Sequence, residues 1–137
     1  MRARKPAPTP RVTDRDEIFP GFDQLATQLR PHILRHGYTR GGLDWNYPDT
    51  FSPYNRLYFF LSGKARVGHS GGYTRLVPGR AYLLPLHERY HLVADGAFEK
   101  FFIHFRMELW PGRDLFSEAP KNLPLSLPAP DSKKMIA

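Results

Sequence analysis

The chain contains no cysteine. That excludes disulfides, cysteine-ligated zinc, iron–sulfur clusters and thiol catalysis, and it leaves the redox compartment undecided. Long hydrophobic runs are also missing: the longest, Leu57 to Leu61, has five residues, whereas a membrane helix needs about 20. The opening MRARKPAPTP carries charge but no apolar segment, so it does not read as a secretory signal. A soluble, cytoplasmic protein is the expectation. Two catalytic signatures are absent as well. There is no G-x-S-x-G turn to raise a serine nucleophile. GYTRGG lacks the Gly-Lys-Ser/Thr ending of a phosphate-cradling loop.

What is present fits one ordinary domain. A chain of 137 residues buries roughly 65–70% of its extended surface, enough for a core without staples. Hydrophobic residues make up 41% and charged residues 24%, a balance that argues against a disordered chain. The net charge is +7, but it is spread out. Residues 1–17 hold five basic and three acidic side chains, and residues 18–130 hold thirteen and nine. A nucleic-acid surface shows a dense basic stripe or helix, and this chain has none. The charge reads as a solvated basic surface.

The chain divides by texture. Residues 1–20 carry four prolines among charges and read as a flexible or extended arm. FDQLATQLR (22–30) spaces Phe22, Leu25 and Leu29 as on a short helix, with Asp23 as N-cap and Pro31 as stop. From Pro31 to Arg106, short aromatic and branched stretches alternate with the turn-like segments GYTRGG, SGK, HSGG, VPGR and ADGA. This is an antiparallel β signature. Strands are expected near 32–39, 43–47, 56–62, 64–69, 72–77, 81–85, 89–93 and 98–106, forming a sandwich or small barrel. VPGR reads as a type II turn, with Pro78 presetting φ and Gly79 supplying a positive φ. After Pro111 the sequence becomes proline-rich, and loops of that length usually lead somewhere. The chain therefore reads as a fragment or truncated product: an arm over 1–20, a ligand-binding domain over 21–116 and a linker or tail over 117–137.

The most informative strand is EKFFIHFR. Alternation places Phe101, Ile103 and Phe105 on one face and Lys100, Phe102, His104 and Arg106 on the other. RLYFFLS repeats the pattern, with Leu57, Phe59 and Leu61 opposing Arg56, Tyr58 and Phe60. Such mixed faces are either ordinary solvated surface or the wall of a lumen in which rings and a few polar groups hold a small polar ligand. Sugars suit such a wall, offering C–H faces to rings and hydroxyls to polar groups. Among the six histidines, His87, His91 and His104 flank the presumed lumen. Three histidines could bind zinc or iron; singly, each is an ordinary hydrogen-bonded side chain.

The run RLYFFLSGKARVGHSGGYTRLVPGRAYLLPLHERYHL, followed by FEKFFIHFR, resembles the N-terminal sensor domain of AraC-type transcriptional regulators. The resemblance lies in an ordered series: Leu57-Tyr58, Gly63, Leu76, Pro78-Gly79, Leu83-Leu84-Pro85 and His104-Phe105. Trp45 ahead of it and DLFSEAP after it also fit, so it covers about residues 31–120. It implies a mainly β fold, a cupin-type double-stranded β-helix barrel, with a small molecule, often a sugar, bound inside. In that family the barrel is followed by dimerising helices and two helix-turn-helix units that bind DNA. In a sugar-sensing member an N-terminal arm folds over the ligand. Aligned on Phe105-Arg106, that member's sugar-contacting positions fall at Lys100 and Phe102.

The sequence also departs from metal-binding cupins, which carry a His-x-His and a Glu shortly before the glycine matched by Gly63. No histidine lies between Gly37 and Gly68. The later metal histidine would fall at Tyr90, one residue from His91. No metal or other cofactor is therefore expected. The ligand contacts expected are Trp45, Arg56, Tyr58, His87, Lys100, Phe102 and His104. Arg56 or Lys100 would meet an anionic or hydroxylated ligand, Tyr58 and Phe102 would stack, and His87 and His104 would donate or accept hydrogen bonds. The expected partners are a small-molecule effector, a carbohydrate among the candidates, and a second copy in a homodimer. DNA would be bound only through a C-terminal domain outside these residues, and no membrane is involved. The alternative is a stand-alone metal-dependent cupin enzyme using His87, His91 and His104.

Overall fold

A computed structural model describes residues 27–118 and 125–128. The strands are β1 (Arg30–Gly41), β2 (Asn46–Phe51), β3 (Asn55–His69), β4 (Gly72–Leu76), β5 (Arg80–Leu84), β6 (Arg89–Trp110), β7 (Arg113–Asp114) and β8 (Leu125–Pro128), with a 3-10 turn at Leu115–Glu118. Every pairing is antiparallel. The mainly β, antiparallel architecture expected from the sequence is what the chain adopts. The arm over 1–20 and most of the 22–30 helix lie outside the described residues; Thr27 and Gln28 are helical.

Two long bent strands organise the fold. The first half of β3 (Asn55–Gly63) pairs with the second half of β6 (Phe98–Phe105), and its last residues, Ala65–Gly68, pair with His91–Ala94. The register shifts between Phe60 and Ser62 and again between Gly63 and Ala65. Bulges of this kind bend a strand and let it pass from one sheet layer to another. One layer is β1, the second half of β6, the first half of β3, then β5 and β8. The other is β2, the first half of β6, the end of β3 and β4. Between them lie Tyr58, Phe60, Ala65, Val67, Leu76, Tyr82, Leu84, Tyr90, Leu92, Ala94 and Phe98. The bulge explains the inward set: Tyr58 and Phe60 point in before it, Ala65 and Val67 after it.

Several sequence-based boundaries need correction for this reason. SGK and ADGA are not turns: they lie inside β3 and β6, where glycine and small residues serve the bend. Four expected strands, 56–62 with 64–69 and 89–93 with 98–106, are two. GYTRGG is strand up to Gly41. Its glycines make room for rings on β6: a Cβ at Gly37 would meet the Phe102 ring at 3.0 Å, and one at Gly41 the Phe98 ring at 2.8 Å. The chain turns only at Leu43–Asp44, where Trp45 N–H donates to Gly42 C=O, so the strand expected at 43–47 begins at Asn46. VPGR is the turn expected, with Gly79 at φ 87° and Arg80 N–H on Val77 C=O.

A buried polar knot pins one end of the barrel. Asn55, fully buried, accepts from Leu86 N–H and donates to Phe105 C=O and to the Asp114 carboxylate. Asp114 also accepts from Met107 N–H and Phe116 N–H. The buried polar atoms of Asn55 and Asp114 thereby find partners, which is the condition for burying them at all. The knot ties the start of β3 to β6, β7 and the loop after β5.

Candidate functional site

A cavity of about 410 Å³ opens between the layers, lined by β1, β2, β3 and β6. Six of the seven side chains expected at a ligand site line it together: Trp45, Arg56, Tyr58, Lys100, Phe102 and His104. The pairing of β3 with β6 explains the convergence. Arg56 lies opposite His104, Tyr58 opposite Phe102 and Phe60 opposite Lys100, so the mixed faces of both strands form one wall. The apolar faces turn outward, where Phe59, Phe101 and Ile103 line an outer groove with His36 and Tyr38.

Lys100 is the central feature. It is 4% exposed, and its Nζ lies 4.3 Å from the centre of the Tyr58 ring, 4.9 Å from Phe102 and 5.3 Å from Trp45. Its hydrogen bond is to Thr39 Oγ1 at 3.5 Å, a long one. Burial, then the Arg56 charge, lowers its pKa from 10.5 to about 7. Ring faces attract an ammonium, but they do not replace the water it loses.

Arg56 sits beside it, half-buried. It donates to Ser52 Oγ at 2.6 Å and to His104 Nε2 at 3.2 Å, and its guanidinium lies over the Tyr54 ring. A guanidinium has no acceptor, so His104 Nε2 must accept and the imidazole proton sits on Nδ1. The pKa agrees: desolvation first, then Arg56, Lys100 and Arg35, lower it from 6.5 to about 4. His104, stacked on Tyr54 at 4.8 Å, is therefore a neutral group near neutral pH. Burial likewise raises the Tyr58 phenol above its usual range.

The sequence missed five lining residues: Arg35, Thr39, Tyr47, Thr50 and Leu92. Arg35 and Thr39 flank inward-facing Gly37 on β1, and that alternation was the available signal. Arg35 reaches over the Phe102 ring at 5.9 Å. Among the described residues the lining thus holds three basic side chains and no carboxylate. Ion pairs among the described residues join His32 to Glu108, Arg40 to Glu99, Arg66 to Asp95 and Arg89 to Asp49. None of them involves Arg35, Arg56 or Lys100.

His87 does not reach the cavity, which corrects its expected role as a ligand contact. It occupies the loop after β5 with φ 62°, stacks on Phe51 at 5.9 Å and is exposed, while its neighbour Leu86 turns into the core. Histidine is among the few non-glycine residues that tolerate this backbone region. His91 also faces out, hydrogen-bonded to Tyr73 and Asn46. His87, His91 and His104 therefore do not converge as a metal triad. Among the described residues no group of three or more His, Cys, Asp or Glu could hold a metal ion. Tyr90, where the metal histidine of a cupin would fall, is buried and donates to Pro85 C=O. The described residues include no helix long and apolar enough to cross a membrane.

No known family profile matches the chain, and no curated protein matches it. Solved structures do resemble it. A cupin superfamily protein from Desulfitobacterium hafniense is 17% identical over 56% of this chain and 75% of that one, with a TM-score of 0.47. A Cupin 2 conserved barrel domain protein from Salinispora arenicola is 16% identical over 75% and 89%, with a TM-score of 0.45. ToxT from Vibrio cholerae, in its apo K231A form, is 11% identical over 79% of this chain and 44% of that one, with a TM-score of 0.43.

Proposed function

We propose that this domain is the small-molecule sensor of an AraC-type transcriptional regulator, controlling a helix-turn-helix DNA-binding part. The ligand half of the reading is supported by one observation above all: the convergence of Trp45, Arg56, Tyr58, Lys100, Phe102 and His104 on one cavity. Its size falls in the usual range for small-molecule sites. The regulator half is supported by the ordered series from Leu57-Tyr58 to His104-Phe105. The rings offer flat apolar faces, while Arg56, Lys100 and the His104 Nδ1–H offer donors. A ligand seated there binds two arrangements of the domain unequally and so shifts their populations, the only way an effector can move such an equilibrium.

The test is thermal unfolding of the full chain against neutral sugars and small organic acids. A true ligand at about 100 times its Kd adds about 2.7 kcal/mol, a rise of roughly 5 °C or more for a domain of this size. Failure of every compound to shift the transition contradicts the sensor reading. The coding sequence after Ala137 is the second check: two helix-turn-helix patterns are expected there, and a different domain contradicts the regulator.

A further inference from the structure

We propose that the cavity takes a small organic carboxylate. Its headgroup lies between Lys100 and Arg56, and its flat or apolar body lies against Trp45, Tyr58 and Phe102. This rests on the reading of the cavity as a ligand site and goes beyond it by fixing the charge of the ligand.

The argument starts from an imbalance. Arg35, Arg56 and Lys100 share one lining that, among the described residues, contains no Asp or Glu. Lys100 is buried under three rings, and its one hydrogen bond is the long one to Thr39. Lys100 is buried, Arg56 half-buried and Arg35 exposed at the rim; like charges this close repel, and a buried cation without a counter-anion is costly. An anion entering the cavity relieves both problems. A neutral sugar would offer hydroxyl acceptors but leave the repulsion in place. The rings make the cavity discriminating as well, since a fully hydrated anion such as inorganic phosphate gains nothing from three aromatic faces.

Proton coupling follows from the groups around Lys100. Facing it are Arg35 and Thr39 from β1, Tyr47 from β2, Trp45 from the turn before β2, Arg56 and Tyr58 from β3, and Phe102 and His104 from β6. His104 titrates at about 4, and the Tyr58 phenol titrates above its usual range. Within the cavity the amine is thus the group that changes charge near neutrality, at about pH 7 in the free protein. A carboxylate beside it favours the ammonium and raises that value. Below pH 7 the amine is already charged and affinity is flat. Above pH 7 binding must draw a proton from solvent, so affinity falls by up to tenfold per unit.

Calorimetric titration of the full chain tests this, with benzoate, phenylacetate and glucuronate as anionic probes. Benzamide, phenylacetamide and glucose are their neutral counterparts. At least one carboxylate is expected to bind while its neutral counterpart fails at the same concentration. Its Kd should be more than about tenfold weaker at pH 9 than at pH 6.5, a window in which carboxylates stay ionised. The heat at pH 8 should change with the ionisation enthalpy of the buffer, as proton uptake requires. Lys100→Met should weaken binding and flatten the pH dependence. Equal binding of amide and acid, or carboxylate binding that ignores pH, overturns the inference. Binding of glucose alone overturns it while leaving the sensor reading intact. If no probe binds, both fall.

Discussion

Replacing Lys100 with methionine is expected to make the protein more stable, by about 2–4 kcal/mol at pH 7. Few large substitutions inside a barrel act in that direction. The reasoning compares two opposing effects. Burial lowers the pKa of the amine from 10.5 to about 7, and at ~1.4 kcal/mol per unit the charged form costs about 5 kcal/mol in the folded state. The three ring faces offset part of that, about 0.5–2 kcal/mol for such contacts. Methionine keeps the stem, loses the charge and packs well against aromatic rings. The sign with pH is also fixed. Between about pH 7 and 10.5 the unfolded lysine holds a proton that the folded one has released, so wild-type stability rises across that window. The advantage of Lys100→Met is therefore largest at or below pH 7 and narrows toward pH 10.5. Urea denaturation of both proteins at pH 7 and pH 10 measures this. A variant less stable than wild type at pH 7 would mean that Lys100 has a counter-anion or open water around it.

Gly63→Ala should have a large effect of opposite sign. Gly63 sits at the bend of β3 with φ 98°, and an added Cβ would lie 2.1 Å from Ala97 C=O and 2.4 Å from Phe98 Cα. Both neighbours are backbone of the paired strand, so neither can move aside as a side chain would. A loss of about 3 kcal/mol or more is expected. Gly79→Ala is the control: its φ is 87°, yet nothing lies within 4 Å of its added Cβ. It should cost only the conformational penalty, about 1–2 kcal/mol. Equal losses in the two variants would mean that β3 does not press against β6 at Gly63.

The contrast between these glycines shows what the sequence made legible. Gly79 follows a proline in a turn of known chemistry, and its role could be read directly. Gly63 and the ADGA segment looked the same in sequence but bend continuous strands, because the partner that makes them bends lies some 30 or more residues away in the chain. Alternation along EKFFIHFR and RLYFFLS correctly grouped Lys100, Phe102 and His104 with Arg56 and Tyr58, since a strand has only two faces. It could not bring in Arg35, Thr39, Tyr47 or Thr50, whose places depend on how β1 and β2 register against β6. His87 went astray for a local reason. Strand alternation does not extend into a loop, and in this one Leu86 takes the inward place while His87 sits at positive φ and is exposed.

The claim beneath the ligand reading is that an uncompensated amine lies inside the barrel, and NMR titration of Lys100 tests it most directly. Following the lysine Cε and Nζ signals from pH 5 to 11, with Lys100→Met identifying the resonance, should show one lysine titrating near pH 7. A Lys100 signal that titrates near 10.5, together with the other lysines, would place the side chain in water and contradict the cavity as described.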